Sequence, residues 1–191
     1  DEFGYTDAYD YQPKVVDEIV REGQSIVQVA TGGGKSRICN IAVSRIRRPT
    51  LFITTRSVLM YQMKGAFEAA FRYQMSNGDH FWKGREVGVI GDGEWFPRKA
   101  ITVGMVQTLA ARLKEPDRSK SKADQAKQTR IREQTLKYLA MVEFVVLEEA
   151  HEVGGDSYYR IMDACKNARY RMALTATPFM RDDQESNMRL L

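Results

Sequence analysis

The sequence predicts one α/β domain of three layers, with a mainly parallel central sheet flanked by helices. Three observations lead there. Several short β-rich runs are apolar throughout, as in Phe144-Val145-Val146-Leu147, instead of alternating apolar with polar. A strand of that kind is buried on both faces, as in a parallel sheet covered by helices. These runs alternate with longer stretches of helical periodicity, which is the βαβα order of a layered fold. The 191 residues suffice for one domain with a proper core and little more.

In chain order, the strand candidates are Ser25–Val29, Leu51–Thr54, Glu86–Ile90, Ile101–Gly104, Phe144–Leu147 and Arg171–Leu174. The first helix pattern carries Val15, Val16, Ile19 and Val20 on one stripe. Pro13 suits a helix start, where its missing N–H costs nothing. The second pattern places Leu59, Met63, Phe67 and Ala70 at helical spacing. Residues 114–132 stand apart, because Lys, Arg, Asp, Ser and Gln dominate there and apolar side chains are scarce. They read as an exposed, partly mobile charged insertion leading into a helix near Ile131–Met141. A solvated loop is the simpler reading of such a charge run, and a nucleic-acid role is the alternative.

Composition excludes several classes. Apolar residues make up 43% and charged residues 28%, an ordinary globular balance. No run of about 18 apolar residues occurs, so no membrane span or membrane partner is expected. Asp1-Glu2-Phe3-Gly4 offers neither a basic n-region nor an apolar h-region, so no signal peptide is expected. The two cysteines, Cys39 and Cys165, form neither a disulfide framework nor a metal motif. Each is expected as a buried small hydrophobe, in a reducing cytoplasm. The net charge of +4 permits a polyanionic partner without requiring one.

The strongest local signal is Ala30-Thr31-Gly32-Gly33-Gly34-Lys35-Ser36, between an apolar strand and a helix opening near Lys35. That is the context of a phosphate-binding loop. The glycines Gly32, Gly33 and Gly34 allow positive φ and let backbone N–H groups, Thr31's included, close around an anion. The helix N-terminus adds its unpaired donors and its dipole. Lys35 supplies a point charge for β- and γ-phosphates, and the Ser36 hydroxyl can coordinate Mg²⁺. ATP and Mg²⁺ are therefore the expected cofactors.

A second signal is Val145-Val146-Leu147-Glu148-Glu149-Ala150-His151, an apolar strand ending in two carboxylates. At the carboxyl edge of a parallel sheet they would lie beside the phosphate loop, where ligands bind. Glu148 can hold the Mg²⁺ hydration shell and Glu149 can polarise an attacking water, as phosphoryl transfer needs.

With both boxes in place, the chain from about Tyr9 to Phe179 resembles the first RecA-like lobe of a superfamily 2 helicase or translocase. The loop resembles that family's Thr-Gly-x-Gly-Lys-[Ser/Thr] version, since Val29 stands where the broader pattern has glycine. The acidic box resembles Asp-Glu-Ala-His, with Glu148 in the Asp position. The extra methylene displaces the carboxylate by about 1.5 Å, which bears on turnover more than on ATP binding. The resemblance implies that His151, Thr175 and Thr177 couple the ATP state to nucleic-acid grip, the last two within Thr175-Ala176-Thr177-Pro178. It implies that Gln12 reads adenine, with Tyr9 or Tyr11 lining the base. It implies backbone contacts to nucleic acid by Thr55 and Arg56, with Gln62 following, and by Gln107 and Thr108. Such contacts carry no sequence information. Val87-Gly88-Val89-Ile90-Gly91-Asp92-Gly93 resembles a segment of the subgroup holding phage recombination helicases, excision-repair helicases and type III restriction motors. That favours DNA over RNA, in a phage or bacterial cytoplasm, or in a nucleus if the source is eukaryotic.

The expected function is the ATP-binding lobe of a nucleic-acid-dependent ATPase, residues 1–191 forming that lobe. A second RecA-like lobe, expected in the same chain, is absent from these residues. The alternatives are the motor lobe of a restriction enzyme and an ATP-binding switch with impaired hydrolysis. A P-loop kinase or GTPase lacks an acidic box followed by Thr-Ala-Thr-Pro.

Overall fold

The computed structural model describes Phe3 and residues 9–148 and 155–176. Seven strands among them form one sheet in the order β1-β7-β6-β2-β5-β3-β4. The strands are β1 (Gln24–Gln28), β2 (Thr50–Thr54), β3 (Val87–Gly91), β4 (Glu94–Phe96), β5 (Ile101–Met105), β6 (Phe144–Glu148) and β7 (Tyr170–Thr175). All neighbours are parallel except β3 and β4, which form an antiparallel hairpin at the edge. The helices are α1 (Tyr11–Glu22), α2 (Lys35–Ile46), α3 (Ser57–Ser76), α4 (Val106–Arg112), α5 (Lys122–Leu139) and α6 (Gly155–Ala164).

The period of two along each strand divides the core into two layers. Phe52, Phe144, Val146, Met172 and Leu174 pack with α1, α2 and α3 on one face. Leu51, Ile53, Val145, Leu147 and Ala173 pack with α4, α5 and α6 on the other. Hence β2, β3 and β6 are buried at every position, and their uninterrupted apolar runs follow. The stripes of α1 and α3 bury Val16, Ile19, Met63, Phe67 and Ala70.

Three local differences from the sequence reading have physical causes. Val20 is 41% exposed, because the buried face of α1 turns on Gln12, Val16 and Ile19. The helix expected near Ile131–Met141 begins at Lys122: the Ser121 side chain caps it by accepting from the Asp124 N–H at 3.1 Å, and only Thr135, Tyr138 and Leu139 are buried along it. The short strand β4 was not expected. It follows a two-residue turn in which Asp92 (φ 52°) and Gly93 (φ 83°) both take left-handed conformations, the Asp-Gly geometry that matches strand twist.

Candidate functional site

In a parallel sheet all strands point their carboxyl ends to one rim. Here that rim collects the segments after β1, β7, β6, β2, β5 and β3 in spatial order. The phosphate loop follows β1 and runs into α2 at Lys35. Gly32 and Gly34 have φ of 84° and 83°, where a side chain is strained. A Cβ on Gly33 would lie 2.6 Å from Val29 Cγ1, and one on Gly34 would lie 2.3 Å from Gln12 Nε2. The loop thus leaves no room for side chains at either position. Thr31 and Gly32 are exposed, whereas Gly33, Gly34, Lys35 and Ser36 are half-buried at the mouth of α2.

The start of α1 clasps this loop. The Tyr11 hydroxyl donates to the Gly33 carbonyl, and Gln12 Nε2 donates to the same oxygen at 3.0 Å. Gln12 is only 1% exposed, and its Oε1 is buried with no hydrogen-bond partner among the described residues. The structure therefore places Gln12 under the loop rather than on an open surface.

Glu148 ends β6 at 8% exposure. The register sets Glu148 opposite Leu174, and Leu174 opposite Val27, just before the loop. Thr175 ends β7, is 5% exposed and faces Gln28; its carbonyl accepts from the Val29 N–H at 3.0 Å. The buried Cys39 thiol reports on the space between the loop and the acidic strand. Burial first, and then the Glu148 carboxylate, push its pKa up, while Lys35 pulls the other way. One side chain inside α2 thus feels both charges. Glu149, His151 and Thr177 lie outside the described residues.

Farther along the rim, Thr55 and Arg56 follow β2, Arg56 standing at the N-terminus of α3 in an extended conformation. Gln107 and Thr108 open α4 after β5. Gln107 Nε2 donates to the Thr55 carbonyl at 3.1 Å, so these two segments form one continuous surface, with Arg56, Gln62 and Gln107 exposed. Beyond them, the Tyr61 hydroxyl contacts Glu94 Oε1 at 3.0 Å and Asp92 Oδ2 at 3.3 Å. The bond to Glu94 chiefly, with desolvation and the two negative charges, pushes the Tyr61 pKa up to about 12. Sequence reading missed this cluster, to which the turn signal at Asp92-Gly93 was the available clue; Cys39 is buried in α2 as expected.

A glycine loop at a helix N-terminus, next to acidic and hydroxyl-bearing strand ends on one rim, defines the ATP-binding lobe of a P-loop motor. The family model for the type III restriction enzyme, res subunit, matches residues 6–180. The chain belongs to that family. No curated protein matches it in sequence. Among solved structures it is similar to the UvsW helicase from bacteriophage T4, at 16% identity and a TM-score of 0.65, covering 97% of this chain and 57% of that one. It is also similar to the Mycobacterium smegmatis helicase Lhr bound to ssDNA and AMP-PNP, at 14% identity and a TM-score of 0.64, covering 87% of this chain and 22% of that one. The helicase MrfA gives 12% identity and a TM-score of 0.62, covering 91% and 27%. These likenesses concern the fold, and the chain spans little more than half of UvsW. No helix among the described residues is long and apolar enough to cross a membrane.

Proposed function

We propose that this lobe binds MgATP at Thr31–Ser36 and the backbone of DNA along Thr55, Arg56, Gln107 and Thr108, coupling hydrolysis to movement on DNA or its remodelling. The observation that carries the reading is the meeting of the phosphate loop, Glu148 and Thr175 at the adjoining carboxyl ends of β1, β6 and β7. Hard oxygen donors, the Ser36 hydroxyl and the Glu148 carboxylate, would suit Mg²⁺, an ion that does not need a full protein cage. The opposing effects of Lys35 and Glu148 on Cys39 fit such a shared site. When bound, the metal supplies neutralisation of phosphate charge.

The chain's own residues do the rest. Lys35 draws the β- and γ-phosphates to the mouth of α2, and the loop N–H groups wrap them. Tyr11 and Gln12 both bond the Gly33 carbonyl and the Gly33 N–H donates to the Ala30 carbonyl at 2.9 Å, which fixes the loop's path and leaves the anion to the donors at the mouth of α2. Gln12, buried beneath the loop, acts on the nucleotide by holding the Gly33 carbonyl and so shaping the loop. Glu149 orients the attacking water, and His151, Thr175 and Thr177 relay the ATP state towards the DNA surface. Thr175 is well placed for this, since its backbone is bonded to the strand that carries the loop.

A second RecA-like lobe closes the site and supplies an arginine that stabilises transition-state charge, worth roughly 10³–10⁵ in rate. The 191-residue chain alone is then expected to bind nucleotide weakly, hydrolyse it poorly and leave duplexes intact. ATP turnover measured with single-stranded DNA, with RNA and with neither tests this. DNA-stimulated turnover in a two-lobe protein, near silence in the single lobe, is the expected pattern. Robust DNA-stimulated turnover by the single lobe, or stimulation by RNA alone, would contradict it.

A further inference from the structure

The opposite rim of the sheet carries a second polar cleft. Pro49, Ala100 and Glu143 immediately precede β2, β5 and β6 and form its floor, so it opens at the amino edge, away from the phosphate loop. Its volume is about 280 Å³. Four cations line it: Arg47, Arg48, Arg85 and Lys99. Two carboxylates oppose them. Arg47 pairs with Asp79 at 2.6 Å, and Arg48 only approaches Glu143, at 3.7 Å. Arg85 and Lys99 have no carboxylate partner among the described residues; Arg85 Nε donates instead to the Phe81 carbonyl at 2.7 Å.

The cations are organised rather than scattered. The guanidinium carbons of Arg47 and Arg85 sit 5.0 Å and 4.5 Å from the Phe81 ring centroid, so one aromatic ring gathers both. Arg47 is further fixed by donating from Nε to the Ser44 carbonyl at 2.8 Å. Phe81 meets Trp82 edge-on at 4.7 Å, and Trp82 stacks on Phe71 at 3.8 Å, which anchors the aromatic wall in the core. Trp82 is 1% exposed, and its indole N–H has no acceptor among the described residues. Like charges held together without matching anions are costly unless a ligand neutralises them. Two guanidinium forks suit phosphate oxygens, and the volume is too small for a whole drug-sized ligand.

We infer that this amino-edge cleft binds a phosphoryl group, supplied either by a nucleic-acid backbone or by a free phosphate ester. It is a site separate from the carboxyl rim, and it stands whether or not the rim holds DNA.

The two tryptophans are Trp82 and Trp95, so a Trp95→Phe chain makes Trp82 the sole reporter. Pyrophosphate is titrated against its fluorescence, with Lys35→Ala added to silence the phosphate loop. The inference expects a saturable change that survives Lys35→Ala and weakens at least tenfold in Arg85→Glu/Lys99→Glu. Lys99→Arg should retain it. In a parallel arm, a short single-stranded oligonucleotide is titrated at several salt concentrations. If a backbone is the source, the double variant lowers the magnitude of the log–log salt slope by about 1.4, near 0.7 for each phosphate no longer neutralised. If the slope is unchanged while pyrophosphate binding is abolished, the source is a free phosphate ester. The inference is overturned if pyrophosphate leaves Trp82 unaltered, or if charge reversal at 85 and 99 leaves its binding intact. Loss of oligonucleotide binding in Arg56→Ala alone bears on the rim and not on this cleft.

Discussion

Replacing Gly34 by alanine isolates what holds the phosphate loop in shape. Two costs arise. Gly34 has φ +83°, and a non-glycine residue there costs roughly 1–2 kcal/mol. The new Cβ also falls 2.3 Å from Gln12 Nε2. Gln12 is 1% exposed, so its amide can yield only by leaving the Gly33 carbonyl, a loss of about 0.5–1.5 kcal/mol. The expected total is about 1.5–3.5 kcal/mol, or roughly 3–14 °C in Tm for a domain of this size. Gly32→Ala is the matched control: its φ is +84°, yet nothing lies within 4 Å of the added carbon, so it should show the strain alone. Adding Gln12→Ala to Gly34→Ala should recover the clash portion, a non-additivity of about 0.5–1.5 kcal/mol. Chemical denaturation gives the stabilities, and titration with a fluorescent ATP analogue gives binding, expected to fall at least tenfold in Gly34→Ala. Equal destabilisation by Gly32→Ala and Gly34→Ala, with additive behaviour on Gln12→Ala, would refute the clasp.

Tyr61 sets a pH signature. Its folded pKa is raised to about 12 from an ordinary value of 10.0, so its contribution is whole below pH 10 and fades as pH rises towards 12. Stability should therefore fall more steeply across that window in the native chain than in Tyr61→Phe; parallel curves would rule the cluster out. Burial pushes both thiols up, Cys165 to about 12 and Cys39 more strongly. Neither should react with a thiol reagent at pH 8 until the chain unfolds, and fast labelling of the native protein would count against the core described. In a two-lobe protein, Glu148→Asp, which withdraws the carboxylate by about 1.5 Å, should raise ATP turnover with little change in nucleotide affinity. Unchanged turnover would remove Glu148 as a brake.

How far the sequence foretells this lobe depends on how local each cause is. The central strands were legible because burial on both faces leaves apolar runs such as Phe144–Leu147, and the loop was legible because only glycines fit at 33 and 34. The start of α5 was not, since a polar helix held by the Ser121 cap carries little hydrophobic period. Nor was β4, a three-residue edge strand whose Trp95 is fixed from outside the strand, by the Arg112 guanidinium 3.5 Å from its ring centroid. Gln12 was singled out by family likeness as an adenine reader, and its bond to the loop was not legible, because that contact spans 21 residues of sequence. The amino-edge cleft gathers residues from 47 to 143, and no window of sequence displays that.

Convergence of Lys35, Ser36 and Glu148 on one magnesium–triphosphate is tested most directly by calorimetric titration of a non-hydrolysable ATP analogue, with Mg²⁺ present and chelated. Binding should weaken on chelation, vanish in Lys35→Ala, and lose its metal dependence in Glu148→Ala. Binding indifferent to the metal and retained by Lys35→Ala would mean that these groups do not share a ligand.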